Sequence, residues 1–470
     1  MTDYAKNVQD FYGREDYAAL AGTQSVDGLA VDFKELTYIP RKTTPLPGTM
    51  ATSMLKCFAA LEPQPTTLYL HIPFCNLRCS YCSFYRNPFD AEQVEAYVQA
   101  LLQELDYLKQ QGAFTKQKIA AVFFGGGTPS VLSPKQITTL LAKIHQAVVL
   151  TDDCELTFES SIYDLSQDKL AACLEGGINR FSFGVQAFDT QLRRSLGRLN
   201  TEAEVMHGLE TVAATGVRVI IDLIYGLRGQ TKEMLLADLN KALACGVSGL
   251  DLYKLQIMPK SPLGEAIAKG AVSYDYTEEG LSELFLAADE LLAEQGAKPL
   301  SCCHWAMRGD ERSCYNSLVK SGANVIACGA GCGGHMGVYK YMKSMDRETY
   351  IKKLQQNQYP VMGMGRLGDN YRLLDELSGQ CDKGCLDFTV LASYNDADWG
   401  ALLQPLLATW QELELIYTMG KKYYFTAKGK FYYRQLDRLL LTAVEYALYG
   451  KPGLLEQAGQ KMMGLMKNMK

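Results

Sequence analysis

Leu68-Tyr69-Leu-His71-Ile-Pro73-Phe-Cys75-Asn-Leu-Arg-Cys79-Ser-Tyr81-Cys82 runs a short β-rich segment straight into three cysteines. Three thiolates within eight residues converge on one object only if the backbone wraps around it as a loop. In a reducing compartment such soft ligands select zinc, Cu(I) or an iron–sulfur cluster. A zinc site wants a fourth protein ligand, but Ser83 and Phe84 follow the loop and His71 lies before it. A cubane held by three cysteines instead leaves one iron open to an outside ligand.

The surroundings of this loop are regular. β-rich runs at 68–72, 120–124, 155–159, 180–185, 217–224 and 249–256 alternate with helical patterns at 91–108, 134–149, 166–175, 201–215, 232–245 and 277–294. Six strand–helix units in a row imply a parallel sheet with right-handed crossovers. With no doubly wound reversal, the expected fold is α/β, a partial (β/α)6 TIM-like barrel whose functional groups sit where strands end and loops begin. The expected division is an N-terminal extension (1–60), the barrel (61–297), a segment rich in Cys, Gly and aromatic residues that closes the active site (298–349), and a C-terminal helical, winged-helix-like domain (350–470) with its wing at 421–426. The last ten residues, 461–470, read as a basic, Met-rich terminus.

Composition excludes several classes. Of 470 residues, 47% are hydrophobic and 21% charged, the balance of a globular chain. Forty-seven Lys and Arg against 52 Asp and Glu leave a net charge of −5. No sequence-wide positive field exists to hold nucleic acid or an acidic membrane surface, although a local basic pocket stays open. The N-terminus shows no basic leader followed by an apolar run, and no stretch reaches the ~18 apolar residues of a membrane span. The expectation is a cytoplasmic chain whose 14 cysteines stay reduced.

Further motifs fall at successive strand ends. Gly125-Gly-Gly-Thr128-Pro129 follows the second run, and glycines let backbone groups approach a ligand closely. A phosphate loop would close with Gly-Lys-Ser/Thr, which is missing here. Glu159 ends the third run, as a partner for a ribose hydroxyl or as a surface acid. Gln186 ends the fourth, Arg198 follows in the next loop, and Asp222 lies on the fifth. Each is weak alone; in successive loops of one barrel face they form a pattern.

The C-x3-C-x2-C spacing after a first barrel strand resembles the radical S-adenosylmethionine (SAM) superfamily. Together with Phe181-Ser-Phe-Gly-Val-Gln186-Ala-Phe188 and Ile221-Asp222-Leu-Ile-Tyr-Gly226-Leu, residues 65–270 resemble the oxygen-independent coproporphyrinogen III dehydrogenase family. The resemblance implies a [4Fe–4S] cluster on Cys75, Cys79 and Cys82, and two SAM molecules. Tyr69, Gly126 and Glu159 would serve the cluster-bound SAM. Tyr81, Gly127, Thr128, Gln186, Arg198, Asp222 and Gln256 would serve the second.

Within that family, the coproporphyrinogen dehydrogenases carry a further cysteine where this chain has Phe84; related heme chaperones also have an aromatic there. Trp305-Ala-Met-Arg308-Gly-Asp-Glu311-Arg312-Ser-Cys-Tyr315-Asn316, followed by Gly329-Ala-Gly-Cys-Gly-Gly334-His335, resembles the anaerobic heme-utilisation branch, methyltransferases that open heme to a linear tetrapyrrole (anaerobilin synthases). That resemblance implies heme or a related tetrapyrrole as substrate and a low-potential electron donor of the flavodoxin or ferredoxin type. It also implies the chemistry: cleavage of one SAM, hydrogen abstraction from the methyl group of the second, addition to a meso carbon, ring opening and iron release. The rivals are a coproporphyrinogen III dehydrogenase and a heme-binding chaperone without turnover.

The remaining candidates each carry two readings. His304 and His335 are axial heme ligands or structural residues. Arg308 and Arg312 pair with heme propionates or with surface acids. Trp305 and Tyr315 stack on a macrocycle or pack. Cys302, Cys303, Cys314, Cys328 and Cys332 are small hydrophobes or have a redox or resting-ligand role, and Cys381 and Cys385, two thiols spaced by three residues, do not hold a second cluster without partners elsewhere.

Overall fold

The alternation folds as six strand–helix units: β1 (Thr66–Ile72), α1 (Ala91–Gln110), β2 (Lys118–Gly126), α2 (Pro134–Ala147), β3 (Val149–Ser160), α3 (Gln167–Glu175), β4 (Arg180–Gln186), α4 (Glu202–Ala213), β5 (Arg218–Tyr225), α5 (Lys232–Ala244), β6 (Gly249–Lys254) and α6 (Glu278–Glu294). The computed structural model describes residues 3–25, 30–34, 43–82 and 87–450. Phe84 and the 461–470 tail, both used in the sequence reading, lie outside the described residues.

Strands β1 to β6 pair in parallel and in chain order, giving the expected α/β partial barrel. The strands are apolar because both faces are covered: Leu68, Leu70, Ile72, Phe181 and Phe183 are fully buried. The helices begin at side-chain caps. Asp90 accepts from the Gln93 N–H at 2.9 Å, and Ser133 and Thr201 form reciprocal capping boxes with Gln136 and Glu204. On α1, Val94, Tyr97, Val98, Leu101, Leu105 and Leu108 recur at helical spacing and are buried.

The sheet runs beyond the six strands. β7 (His304–Ala306) pairs antiparallel with β6, and β8 (Asn324–Cys328) pairs parallel with the other side of β1. β9 (Gly333–Met336), β10 (Tyr339–Lys343) and β11 (Val361–Leu367) continue antiparallel, and Thr43–Leu46 pairs with β11. The Cys- and Gly-rich segment, in which no long periodic element was expected, therefore supplies both flanks of the barrel sheet. Its strands are three to five residues long, and β8 is buried at every position. Neither length nor alternation announces them.

After α7 (Arg347–Gln355), the C-terminal region follows the helix–wing–helix order: α8 (Tyr371–Lys383), α9 (Trp399–Glu412), the hairpin β12 (Ile416–Met419) and β13 (Lys422–Phe425), then α10 (Tyr433–Tyr449). The hairpin turns at Gly420, with φ of +65°. The N-terminal helix Tyr4–Tyr12 lies on α10. Asn7 Nδ2 donates to the Ala447 carbonyl at 2.9 Å, and the Phe11 ring stands 5.3 Å from that of Tyr446. Among the described residues no helix is long and apolar enough to cross a membrane.

Candidate active site

The three-cysteine loop leaves the C-terminal end of β1 and is clasped by the glycine loop that leaves β2. The Gly127 N–H donates to the Ile72 carbonyl and the Thr128 N–H to the Phe74 carbonyl, both at 2.8 Å. Thr128 Oγ1 donates to Cys75 Sγ at 3.4 Å. Glycine is required at two of these positions. A Cβ on Gly127 would stand 2.5 Å from the Phe74 oxygen, and Gly126 has φ of +114° with the His71 ring 2.6 Å from where its Cβ would be. On the far side the Ser80 N–H donates to the Leu196 carbonyl at 3.0 Å, which ties the cysteine loop to the segment after β4.

Cys75 is buried, and Cys79 and Cys82 are half-buried. Burial, with Cys82 and Cys79 as neighbouring thiols, pushes the Cys75 thiol up to about 11, although the Thr128 hydroxyl works the other way. A thiol so placed stays protonated unless a metal draws off the proton. Among the described residues no three His, Cys, Asp or Glu side chains are gathered as the ligands of a single metal ion. A cluster spreads its thiolates over several irons, which suits three cysteines distributed along a loop.

Around this loop stand the expected SAM-binding positions. Glu159 receives the Gly126 N–H at 3.1 Å, and burial raises its carboxyl to about 7. Arg198 Nη2 donates to the Tyr81 hydroxyl at 3.2 Å, while its buried Nε has no hydrogen-bond partner among the described residues. A guanidinium with one unused, desolvated donor is fitted to a carboxylate arriving from outside. Gln186 closes β4 with φ of +71°, where the β4–β5 register shifts. Strain of this kind gathers at ligand sites. Asp222 is half-buried, and desolvation with the neighbouring Asp251 holds its carboxyl well above the usual range. Tyr69 places its hydroxyl 3.1 Å from His71 Nδ1 and its ring against Phe123. Gln256, just past β6, lines a cavity at the open edge of the barrel.

Of the residues expected near substrate, the structure brings Tyr315 to this layer, its ring 4.7 Å from Phe123 and 6.2 Å from Tyr69. The others lie elsewhere. Arg308 pairs with Asp310 at 3.3 Å and Arg312 with Asp153 at 2.9 Å, all exposed. Trp305 is buried against Phe285. His335 is buried edge-on to Tyr371. The described cysteines are all free thiols, and burial pushes Cys303 up to about 11 and holds Cys302, Cys328 and Cys381 well above the ordinary range.

His304 is buried between Asp251 (3.0 Å) and Glu311 (3.2 Å). Burial opposes its charge, but the two carboxylates overcome this and lift it to about 9. Glu311 also takes Arg180 at 2.9 and 3.2 Å, and Glu155 sits between Arg180 (4.0 Å) and Arg218 (3.3 Å). Sequence reading missed this ladder across the N-terminal end of the barrel. Its signal was Arg180, a charge heading the otherwise apolar strand Phe181-Ser-Phe-Gly-Val, which needs a buried partner.

A parallel α/β barrel with a three-cysteine loop after its first strand and a glycine loop after its second defines the radical SAM class. Residues 69–242 match the radical SAM superfamily. The chain is 30% identical over 373 residues to anaerobilin synthase of Escherichia coli O157:H7, covering 79% of this chain and 82% of that protein. It is 29% identical over 290 residues to the heme chaperone HemW of Lactococcus lactis, covering 62% of this chain and 74% of that protein. Among solved structures, the coproporphyrinogen III oxidase HemN of Escherichia coli superposes with a TM-score of 0.73 at 21% identity, over 87% of this chain and 97% of that one. The chain belongs to the radical SAM superfamily and, within it, to the coproporphyrinogen III dehydrogenase-like family. Membership implies a [4Fe–4S] cluster and SAM.

Proposed function

We propose that the protein opens heme without oxygen, transferring a SAM-derived methyl carbon to a meso position and releasing iron with a linear tetrapyrrole of the anaerobilin type. The observation that carries this reading is the extent of likeness: the match to anaerobilin synthase runs over 373 residues, against 290 for the heme chaperone. Cys75, Cys79 and Cys82 hold the cluster in the loop clasped by Gly127 and Thr128. Loaded there, cluster and SAM would supply one-electron radical chemistry to the substrate.

The chain's own residues bind, orient and exclude water. Tyr69, Gly126 and Glu159 receive the cluster-bound SAM, with the Glu159 carboxylate toward ribose. Arg198 takes the carboxylate of a second SAM on its unused Nε, and Tyr81, Gly127, Thr128, Gln186, Asp222 and Gln256 complete that site. The Tyr69–Phe123–Tyr315 aromatic layer keeps the interior dry. No side chain acts as nucleophile; positioning is the protein's share. A low-potential donor of the flavodoxin or ferredoxin type supplies the electrons.

The test is anaerobic. Protein reconstituted with iron and sulfide receives reductant, SAM and heme, and the Soret band is followed with mass spectrometry of products. Soret loss with a methylated, iron-free linear tetrapyrrole and 5′-deoxyadenosine is the expected result. A Soret band that shifts and persists would identify a chaperone instead, and decarboxylation of added coproporphyrinogen a dehydrogenase. Cys79→Ala should lose cluster absorbance and SAM cleavage together; retained cleavage would end the cluster assignment.

A further inference from the structure

Arg193 lies in the short helix Thr190–Ser195 that follows β4, and only 2% of it is exposed. A guanidinium desolvated to that degree needs acceptors for its donors. Here they are main-chain carbonyls. Nη1 donates to the Val185 carbonyl at 2.8 Å and to the Ala187 carbonyl at 3.0 Å, and Nε donates to the Asn200 carbonyl at 2.8 Å. The Arg198 N–H in turn donates to the carbonyl of Arg193 at 2.9 Å. Burial, with the neighbouring Arg198 guanidinium, pulls Arg193 down to about 10, so it stays charged at neutral pH.

These partners enclose two of the residues expected at the second SAM. Val185 and Ala187 flank Gln186, where pairing with β5 passes from Gly184–Asp222 to Gln186–Leu223 and skips Val185. One nitrogen of Arg193 therefore holds the carbonyls on both sides of the left-handed Gln186. A glutamine keeps a φ of +71° only where its surroundings over-determine it. Arg198 lies inside the loop that Arg193 closes onto Asn200. The two enclosed side chains stand together: a Cβ on Gly184 would meet Gln186 Nε2 at 2.7 Å and Arg198 Nη2 at 3.3 Å. The same short helix also touches the cysteine loop, since Ser80 Oγ donates to the Ser195 carbonyl at 3.3 Å.

We propose that Arg193 is the positioning residue of the second SAM site, holding Gln186 and Arg198 in the arrangement that receives the cofactor. The inference rests on the two-SAM reading above. With Nε and Nη1 spent on backbone, Arg193 acts on the cofactor through these two residues. It also keeps them in step with the cysteine loop, so that the second SAM is held at a fixed place relative to the cluster. Lysine is no substitute, because an ammonium is a point charge and not a planar fork that spans carbonyls on two segments.

The test uses the full chain with its cluster loaded and no reductant, so that SAM is bound and not consumed. Equilibrium dialysis counts SAM per protein, and cluster absorbance is read on the same samples. The wild type should bind two equivalents. Arg193→Gln should weaken the second equivalent by about tenfold and leave the first equivalent and the cluster absorbance unchanged. Arg193→Lys, which keeps the buried cation, should fall between the two and carries the test if the Gln variant does not fold. Wild-type affinity for both equivalents in a folded variant would overturn the positioning role. So would a parallel loss of cluster and both equivalents in the Lys variant, which is the mark of a purely structural residue. A wild type that binds one equivalent would overturn the two-SAM reading and this role with it.

Discussion

Replacing Glu311 with Gln tests whether the buried ladder holds the barrel shut. Glu311 is nearly inaccessible and receives Arg180 through two guanidinium nitrogens, His304 at 3.2 Å and the Ser313 N–H at 2.9 Å. The neutral amide leaves two buried cations with only Asp251 and Glu155 to answer them. Breaking a buried pair in this way costs about 3–5 kcal/mol. The site of damage is remote from the cluster loop: Arg180 begins β4 and Gln186 ends it, which at ~3.3 Å per residue is about 20 Å. Folded variant should therefore carry its cluster and bind SAM as the wild type does. The pH dependence is a second reading. His304 is raised, so its stabilisation is complete below about 6.5 and is lost as pH rises through about 9. Glu311 is lowered to about 2, burial being outweighed by His304 and Arg180, so its stabilisation is present above about 4.5 and is lost as pH falls through about 2. In Glu311→Gln the acid limb from this group disappears, and the alkaline loss becomes smaller and is complete at lower pH because His304 keeps only Asp251. Urea unfolding at several pH values, with hydrogen exchange of the 303–313 peptide, measures both effects. A loss under ~1 kcal/mol with an unmoved alkaline limb would refute the ladder's role.

At the opposite end of the strands, Gly127→Ala should lose cluster absorbance and SAM binding while the C-terminal region stays folded, because its Cβ would displace the Phe74 carbonyl that anchors the cysteine loop; iron content per folded protein decides this, and full iron loading would count against it. Glu159→Gln should trade affinity for stability. Burial holds the Glu159 carboxyl at about 7, so the native chain keeps a proton that the unfolded chain releases near 4.5, and stability from this group falls as pH rises between those values. The variant should gain roughly 3 kcal/mol at pH 8 and nothing at pH 4, with weaker SAM binding by equilibrium dialysis; equal gains at both pH values would contradict the assignment.

The barrel was legible because its signals are local. Each of the six parallel strands carries a short, largely buried run and is followed by a capped amphipathic helix, so pattern and neighbour agree. The cysteine and glycine loops were legible for a similar reason: Cys75, Cys79, Cys82 and Gly125 to Pro129 are contiguous text. What stayed hidden depends on pairings distant in sequence. β8 finds β1 across some 250 residues, Asn324 against Thr66. Arg180 finds Glu311 across 131. His304 carried two readings, axial ligand or structural residue, and its burial between Asp251 and Glu311 accords with the second. The cavity at the edge of β6 takes its residues from both ends of the chain, Lys34 and Arg434, and no window of sequence contains both.

The two ends of the barrel spend their unusual residues differently, and this division explains why one was readable as function. At the N-terminal end every charge in the ladder is answered: Arg180 and Arg218 by Glu155 and Glu311, His304 by Asp251 and Glu311. At the C-terminal end the groups are left incomplete. Arg198 keeps an unpartnered Nε, Glu159 a raised carboxyl, Gln186 a left-handed backbone and Gly127 a carbonyl where a side chain would go. On the reading proposed above, these are the groups that a bound SAM would complete. Conservative changes in the ladder should therefore lower stability at constant ligand affinity. Changes around the loops should lower affinity at constant or rising stability, so that Glu311→Gln and Glu159→Gln move the two quantities apart in opposite senses.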